Sequence, residues 1–275
     1  PSPTGVDYTD AISIQFEEGA TGAFSGCAYV PKGYGGGYNI RVHGDKGALF
    51  LDFEIEETDG KEKQTYEEFQ KVKFKDVSFK YGKTNLFENI NLTFEKGKIY
   101  GLKGESGSGK STLVNMICGL IKPEKGKIFI DEKFLDFDNN NWMSNIGYAS
   151  QNTILLNDTF LNNITFEYES QNINEEKFKF SIDKSKLKEL VNSLKNGRDT
   201  LIGDRGAFIS SGQSQRVNIA RIFYSDKDLL ILDEATNALD KDTENEILNN
   251  IKNLNKKIEN KKLIIIVSHK TENLK

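Results

Sequence analysis

Gly104-Glu105-Ser106-Gly107-Ser108-Gly109-Lys110-Ser111 decides how this chain is read. It fits the phosphate-binding loop pattern G-x-x-x-x-G-K-[ST]. An apolar, strand-like run (Lys98 to Leu102) precedes it, and a helix-like run (Thr112 to Leu120) follows. That is the context the motif needs. The glycines let the backbone curl so that successive N–H groups point at phosphate oxygens. Gly104, Glu105, Ser106, Gly107, Ser108, Gly109 and Thr112 are therefore expected to line a phosphate site. Lys110 is expected to reach the terminal phosphates, and the Ser111 hydroxyl suits Mg²⁺. A helix opening at Lys110 adds the positive end of its dipole.

A second motif lies downstream. Leu229-Leu-Ile-Leu-Asp233-Glu234 is an apolar strand ending in two carboxylates. At the end of a buried strand, Asp233 would sit beside the phosphate loop and hold Mg²⁺ through water. Glu234 would then point at the γ-phosphate and polarise the attacking water. By itself the segment reads equally well as a strand followed by a solvated acidic turn. Paired with the phosphate loop, it reads as catalytic.

The totals narrow the class. At 275 residues the chain has room for one large domain or two modest ones. A net charge of −4 gives no reason to expect nucleic-acid binding. The longest apolar run, Leu263 to Val267, is far too short to cross a bilayer. Pro1 to Thr9 has neither the basic start nor the apolar core of a secretory signal. Cys27 and Cys118 are isolated, which suits a reducing compartment.

Composition changes sharply near residue 60. The first 60 residues hold 11 of the 24 glycines and only two lysines, whereas the remainder is rich in Lys, Asn and Ile. The expected division is a β-rich segment over 1–60, a charged linker over 61–70 and an α/β domain over 71–275. In the first segment, Ile12-x-Ile14-x-Phe16, Phe24 to Val30, Tyr38 to Val42 and Ala48 to Phe53 alternate like strands. It resembles part of the C-terminal sheet domain of the Gfo/Idh/MocA oxidoreductases. The carrying residues are Asp10 to Phe16, Glu18 to Ala20 and Ile40 to Ala48. The dinucleotide-binding half of that family is missing, so its hydride-transfer chemistry is not carried over. His43 reads as structural.

The second segment begins with alternating strands (Val72-x-Phe74, Val77-x-Phe79-x-Tyr81). It continues through a polar helical middle, Glu175 to Lys195, to the buried-strand runs Leu229 to Leu232 and Leu263 to Val267. Such continuous apolar runs fit parallel strands covered on both faces. Between them lies Ile209-Ser210-Ser211-Gly212-Gln213-Ser214-Gln215-Arg216, and with it the segment resembles the nucleotide-binding domain of ABC transporters. Ser210 to Gln213 matches the L-S-G-G-Q signature, and Ala235 to Asp240 the loop after the second carboxylate. Gln151 opens a stretch similar to the family's glutamine loop. His269, in Ile-Val-Ser-His, stands at the switch histidine, and Tyr81 at the position whose ring stacks on adenine.

The resemblance implies a P-loop NTPase core with an antiparallel β subdomain and a helical signature subdomain. It implies ATP and Mg²⁺ as cofactors, with Ser111, Gln151 and Asp233 at the metal. Glu234, His269, Lys110 and Gln151 are the implied catalytic set. Tyr81, the loop residues 104–112, Ser210, Gly212, Gln213 and Asp240 would contact nucleotide. It also implies a head-to-tail pair of such domains that hydrolyses ATP. Asn196 to Gly206 is similar to the G-x-D-T-x-x-G-E-x-G run of exporters, with Asp204 in place of the usual Glu. That points to an exporter motor, bound peripherally to a transmembrane domain at the cytoplasmic face of the inner membrane. A non-transport ABC ATPase is the alternative, although long coiled-coil insertions do not occur here. An inactive fusion that only binds ATP is the other. Two departures from the family pattern stand out. Ser211 replaces the first signature glycine, where its Cβ is expected to crowd a phosphate modestly. The chain also ends at Lys275, just past His269, so the domain reads as clipped.

Overall fold

The computed structural model describes residues 6–15, 21–30, 38–44, 47–53, 64–66, 68–82, 84–138, 141–167, 170–203, 206–256 and 261–268. The chain divides into two compact units, Pro1–Glu62 and Lys63–Lys275. The first contains two antiparallel hairpins. Strand β1 (Val6–Gln15) pairs with β2 (Thr21–Val30), and β3 (Tyr38–Gly44) with β4 (Gly47–Phe53). The register sets Ile12 opposite Phe24 and Ile40 opposite Leu51.

The described residues of the second unit form an α/β structure with two four-stranded sheets, a short strand pair and a helical lobe. Strands β5 (Lys71–Tyr81), β6 (Thr84–Glu95), β8 (Lys125–Ile130) and β9 (Lys133–Phe134) form an antiparallel sheet in the order β6-β5-β8-β9. Strands β7 (Ile99–Leu102), β10 (Ile146–Ala149), β13 (Leu229–Asp233) and β14 (Leu263–Val267) form a parallel sheet in the order β10-β13-β14-β7. Helix α1 (Lys110–Ile117) packs between the two. Its Val114, Met116 and Ile117 share one core with Val72, Phe74 and Ile128 of the first sheet and Ile231, Ile265 and Val267 of the second. The opposite face of the parallel sheet is covered by α5 (Ser211–Ser225) and α6 (Lys241–Leu254), through Leu230, Leu232, Ile264 and Ile266. Burial on both faces explains why β13 and β14 are unbroken apolar runs.

A third core belongs to the helical lobe. It joins α2 (Phe160–Thr165), α3 (Glu175–Lys184) and α4 (Lys188–Ser193) to α5. The short pair β11 (Asp158–Thr159) and β12 (Leu201–Ile202) closes this lobe. The expected helical middle is thus two helices, broken where Lys186 takes a left-handed conformation (φ 58°).

Other expectations differ in detail. The stretch read as a charged linker supplies two core aromatics, Tyr66 and Phe69, whose edges meet Trp142. Their spacing among acidic neighbours hid them. Trp142 is fully buried, and its indole N–H donates to the Ile117 carbonyl at 2.7 Å. It therefore satisfies an end of α1 that lacks an intrahelical partner. The Lys-rich stretch from Lys241 is an amphipathic helix that buries Ile247, Leu248 and Ile251 and ends at Leu254.

Candidate nucleotide site

Three parallel strands end side by side at one edge of the sheet. The Glu234 N–H donates to the Val267 carbonyl (3.1 Å), and the Ser268 N–H to the Leu102 carbonyl (3.2 Å). The exit of β7 into the phosphate loop, the exit of β14 toward His269 and the Asp233-Glu234 pair are therefore held in one row. In open α/β sheets this carboxyl edge is where ligands bind. His269 and Asp204 lie outside the described residues.

The phosphate loop is shaped for backbone approach. Gly107 (φ 80°) and Gly109 (φ 93°) take left-handed conformations that favour glycine. A Cβ on Gly109 would lie 2.8 Å from the Phe87 ring, and one on Gly104 would lie 2.5 Å from Ser108 Oγ. Gly109 is the N-cap of α1, and no side chain caps the helix. Its first N–H groups are thus left to an anion. The Lys110 ammonium donates to the carbonyls of Gly104 (2.9 Å) and Glu105 (2.8 Å). These bonds hold it over the concave side of the loop. Glu105, Ser106, Ser108 and Ser111 are exposed, whereas Thr112 is buried on α1.

Asp233 closes β13. One of its oxygens, Oδ2, accepts from the Tyr148 hydroxyl at 2.9 Å. Burial, with Asp233 alongside, pushes the Tyr148 phenol well above its usual range. Burial also lifts the nearby Cys118 thiol to about 12. Glu234 stands at φ 53°, a strained position for a non-glycine residue. Its carboxylate accepts from Asn237 Nδ2 at 2.8 Å. Among the described residues, no group of three His, Cys, Asp or Glu side chains is arranged to hold a metal. The Asp233 carboxylate and the Ser111 hydroxyl are oxygen donors of the kind that suit Mg²⁺, which takes one or two carboxylates and fills its shell with phosphate oxygens and water.

The signature segment is the start of α5. Ser210 caps the helix, and Gln213 completes a reciprocal capping box: Ser210 N–H to Gln213 Oε1 at 2.9 Å, Gln213 N–H to Ser210 Oγ at 3.3 Å. Ser211 is exposed, whereas a Cβ on Gly212 would come within 3.0 Å of the Ala238 carbonyl. The two positions of the expected glycine pair therefore differ in what they require. Asp240 caps α6, and its bond from the Thr243 N–H (2.9 Å) holds its carboxyl below the usual carboxylate range. Tyr81 is 56% exposed at the end of β5, with its ring edge-on to Phe79. It is free to stack on a base. Gln151 is exposed two residues past β10.

The family model for ABC transporters matches residues 87–237. The chain belongs to the ABC transporter family. Similar proteins include an ATP-dependent lipid A-core flippase of Desulfotalea psychrophila, 38% identical over 74% of this chain and 36% of the relative. The alpha-hemolysin translocation ATP-binding protein HlyB of Escherichia coli is 33% identical over 74% of this chain and 28% of its own. Among solved structures, a bacterial Atm1-family ABC exporter with ATP bound matches with a TM-score of 0.65 and 27% identity, over 74% of this chain and 35% of that one. The chain spans about a third of the length of these relatives. Its second unit has the fold of the ATP-binding domain of exporter-type ABC proteins. No described helix is long and apolar enough to cross a membrane.

Within this ABC domain, α5 does more than carry the signature. Gln215 Oε1 accepts from the Ala238 N–H (2.8 Å), Asn218 Nδ2 donates to the Ser150 carbonyl (3.1 Å), and Arg221 donates to the Ile154 carbonyl (2.9 Å). One helix therefore grips both the loop after Glu234 and the glutamine loop. The sequence reading missed these residues. A signal was present: three polar side chains spaced by three along an otherwise apolar helix face, with Gln215 and Asn218 buried.

Proposed function

We propose that the second unit is the motor domain of an exporter, working as a head-to-tail pair and coupled to a transmembrane domain on the cytoplasmic face of a membrane. The row of strand ends that brings together the phosphate loop and Asp233-Glu234 carries the reading. Bound MgATP supplies a γ-phosphoryl group whose transfer to water releases ADP and phosphate. Lys110 and the loop N–H groups neutralise phosphate charge, and Ser111, Asp233 and Gln151 hold the Mg²⁺ side. Glu234 accepts the proton of the attacking water, and Tyr81 stacks on the adenine. His269, the residue after Ser268 in the sequence, is assigned the γ-phosphate by the family resemblance. The exposed start of α5, with Ser210, Gly212 and Gln213, faces the nucleotide of the second copy, as does Asp240.

Two further features support the exporter coupling. The exporter-like run Asn196 to Gly206 is anchored to α3 by two bonds from Arg198 to Glu175 (2.8 and 2.7 Å). It is paired with the glutamine-loop segment through β11 and β12. Ile154 and Leu201 are exposed on these stretches, and Phe208, two residues past Gly206, is 91% exposed. Apolar residues left in water at a joined pair of segments suit a docking surface for a membrane domain. For the first unit we keep the Gfo/Idh/MocA sheet fragment as the reading, supported by its two hairpins and by residues 10–16, 18–20 and 40–48.

The decisive experiment is Glu234→Gln. Turnover should fall at least about 100-fold while ATP binding persists. The solution mass should double with MgATP. Hydrolysis at the wild-type rate would reject the base. A variant that stays monomeric while binding ATP would reject self-pairing by the isolated chain.

A further inference from the structure

We propose that Tyr148 is a positioning residue for the Mg²⁺ carboxylate, fixing the orientation of Asp233 and tying it to the strand that leads into Gln151. The inference rests on the nucleotide-site reading above and concerns a side chain that reading does not use.

Tyr148 lies on β10, the outer strand of the parallel sheet, where it is in register with Ile231 of β13. Residues in register on neighbouring parallel strands point to the same face, and so do residues two apart on one strand. Tyr148, Ile231 and Asp233 therefore share a face. Ile231 packs in the core that contains α1, so this is the face toward the phosphate-loop helix. From there the phenol reaches diagonally past Ile231 and donates to Asp233 Oδ2 at 2.9 Å.

A carboxylate at the end of a strand has a rotatable side chain, and a metal with strict octahedral demands benefits when that rotation is stopped beforehand. A hydroxyl donor on one oxygen stops it and leaves the carboxylate charged. A carbonyl or a second carboxylate in that place would repel the oxygen. Tyr148 is also three residues before Gln151. The backbone between them is fastened by the bond from Asn218 to the Ser150 carbonyl. Two of the expected Mg²⁺ contacts thus share a short, braced connection. The hydroxyl, more than the ring, is the part the role requires, because it makes the bond to Asp233.

The test compares Tyr148→Phe and Tyr148→Leu with wild type in the full 275-residue chain. Mn²⁺ serves as the probe, titrated by electron paramagnetic resonance in the presence of a non-hydrolysable ATP analogue. Analogue binding in EDTA and melting temperature are measured in parallel. Both variants should bind Mn²⁺ about tenfold more weakly, as loss of an outer-sphere partner typically does. Metal-free analogue affinity and melting temperature should stay near wild type for Tyr148→Phe. Wild-type Mn²⁺ affinity in Tyr148→Phe would overturn the proposal, even if Tyr148→Leu is weakened, because ring packing would then be the cause. Wild-type protein that binds no analogue at all would overturn the site reading together with it. Failure of Tyr148 alone is therefore distinguishable from failure of the site.

Discussion

Two helix N-termini carry the expected phosphate chemistry, and they are built in opposite ways. Helix α1 begins at a left-handed glycine with no side-chain cap. Helix α5 begins at Ser210 and satisfies itself with a capping box. Helix starts leave N–H groups that need partners. The first design hands those groups to a ligand held by the same chain, so the loop is complete only with an anion. The second is already stable in water and can be presented to a ligand held elsewhere. That suits a surface that meets nucleotide only when two copies close. Glycine is demanded differently as well. In the phosphate loop a Cβ meets side chains and an unfavourable φ, whereas in the signature only Gly212 is confined.

The largest effect should come from breaking the uncapped end. Gly109→Ala puts a Cβ 2.8 Å from the Phe87 ring at φ 93°. The left-handed conformation alone costs about 1–2 kcal/mol. ATP affinity should fall at least about tenfold, since 1.4 kcal/mol is a factor of ten. Isothermal titration in EDTA and in Mg²⁺ would measure it. Unchanged affinity would mean that the loop tolerates a side chain and that the contrast with α5 is false.

The next effect tests the confined signature position. Gly212→Ala brings a Cβ to 3.0 Å from the Ala238 carbonyl. It should push apart the start of α5 and the loop after Glu234, which Gln215 also joins to Ala238. A cost of about 1 kcal/mol corresponds to roughly a fivefold loss of ATPase rate, with ATP binding to the single chain unchanged. If binding falls as much as rate, the contact matters to the whole fold and not to the signature face.

The sequence showed the motif-bearing edges of this fold better than its bracing. The phosphate loop, the apolar runs of β13 and β14 and the signature were legible because each is contiguous, and contiguity is what a linear pattern records. Trp142, Tyr148 and the Gln215, Asn218 and Arg221 stripe act across 23 to 85 residues of separation. No local periodicity announces such partners. Tyr66 and Phe69 were hidden for a related reason: two aromatics in an acidic stretch look solvated until the core they enter is known. Ser211 is the intermediate case. Its departure from the glycine pair was legible, but its consequence depends on which way the Cβ points. The structure answers that by exposing Ser211 and confining its neighbour.

The smallest effect follows from that exposure. Ser211→Gly restores the family's glycine pair at the first residue of α5, where the side chain is exposed. Two terms oppose each other. Removing the Cβ eases approach to a phosphate, which should raise the rate. Glycine also loosens the first helical turn, at a cost of about 0.5–1 kcal/mol relative to alanine. The capping box of Ser210 and Gln213 holds the turn from both sides and absorbs part of that cost. The ATPase rate should therefore change by no more than about twofold, with an increase expected, and the melting temperature should fall by no more than about 4 °C. A tenfold gain would show that Ser211 obstructs the pairing surface, and that the second helix end, like the first, was shaped for a bare backbone.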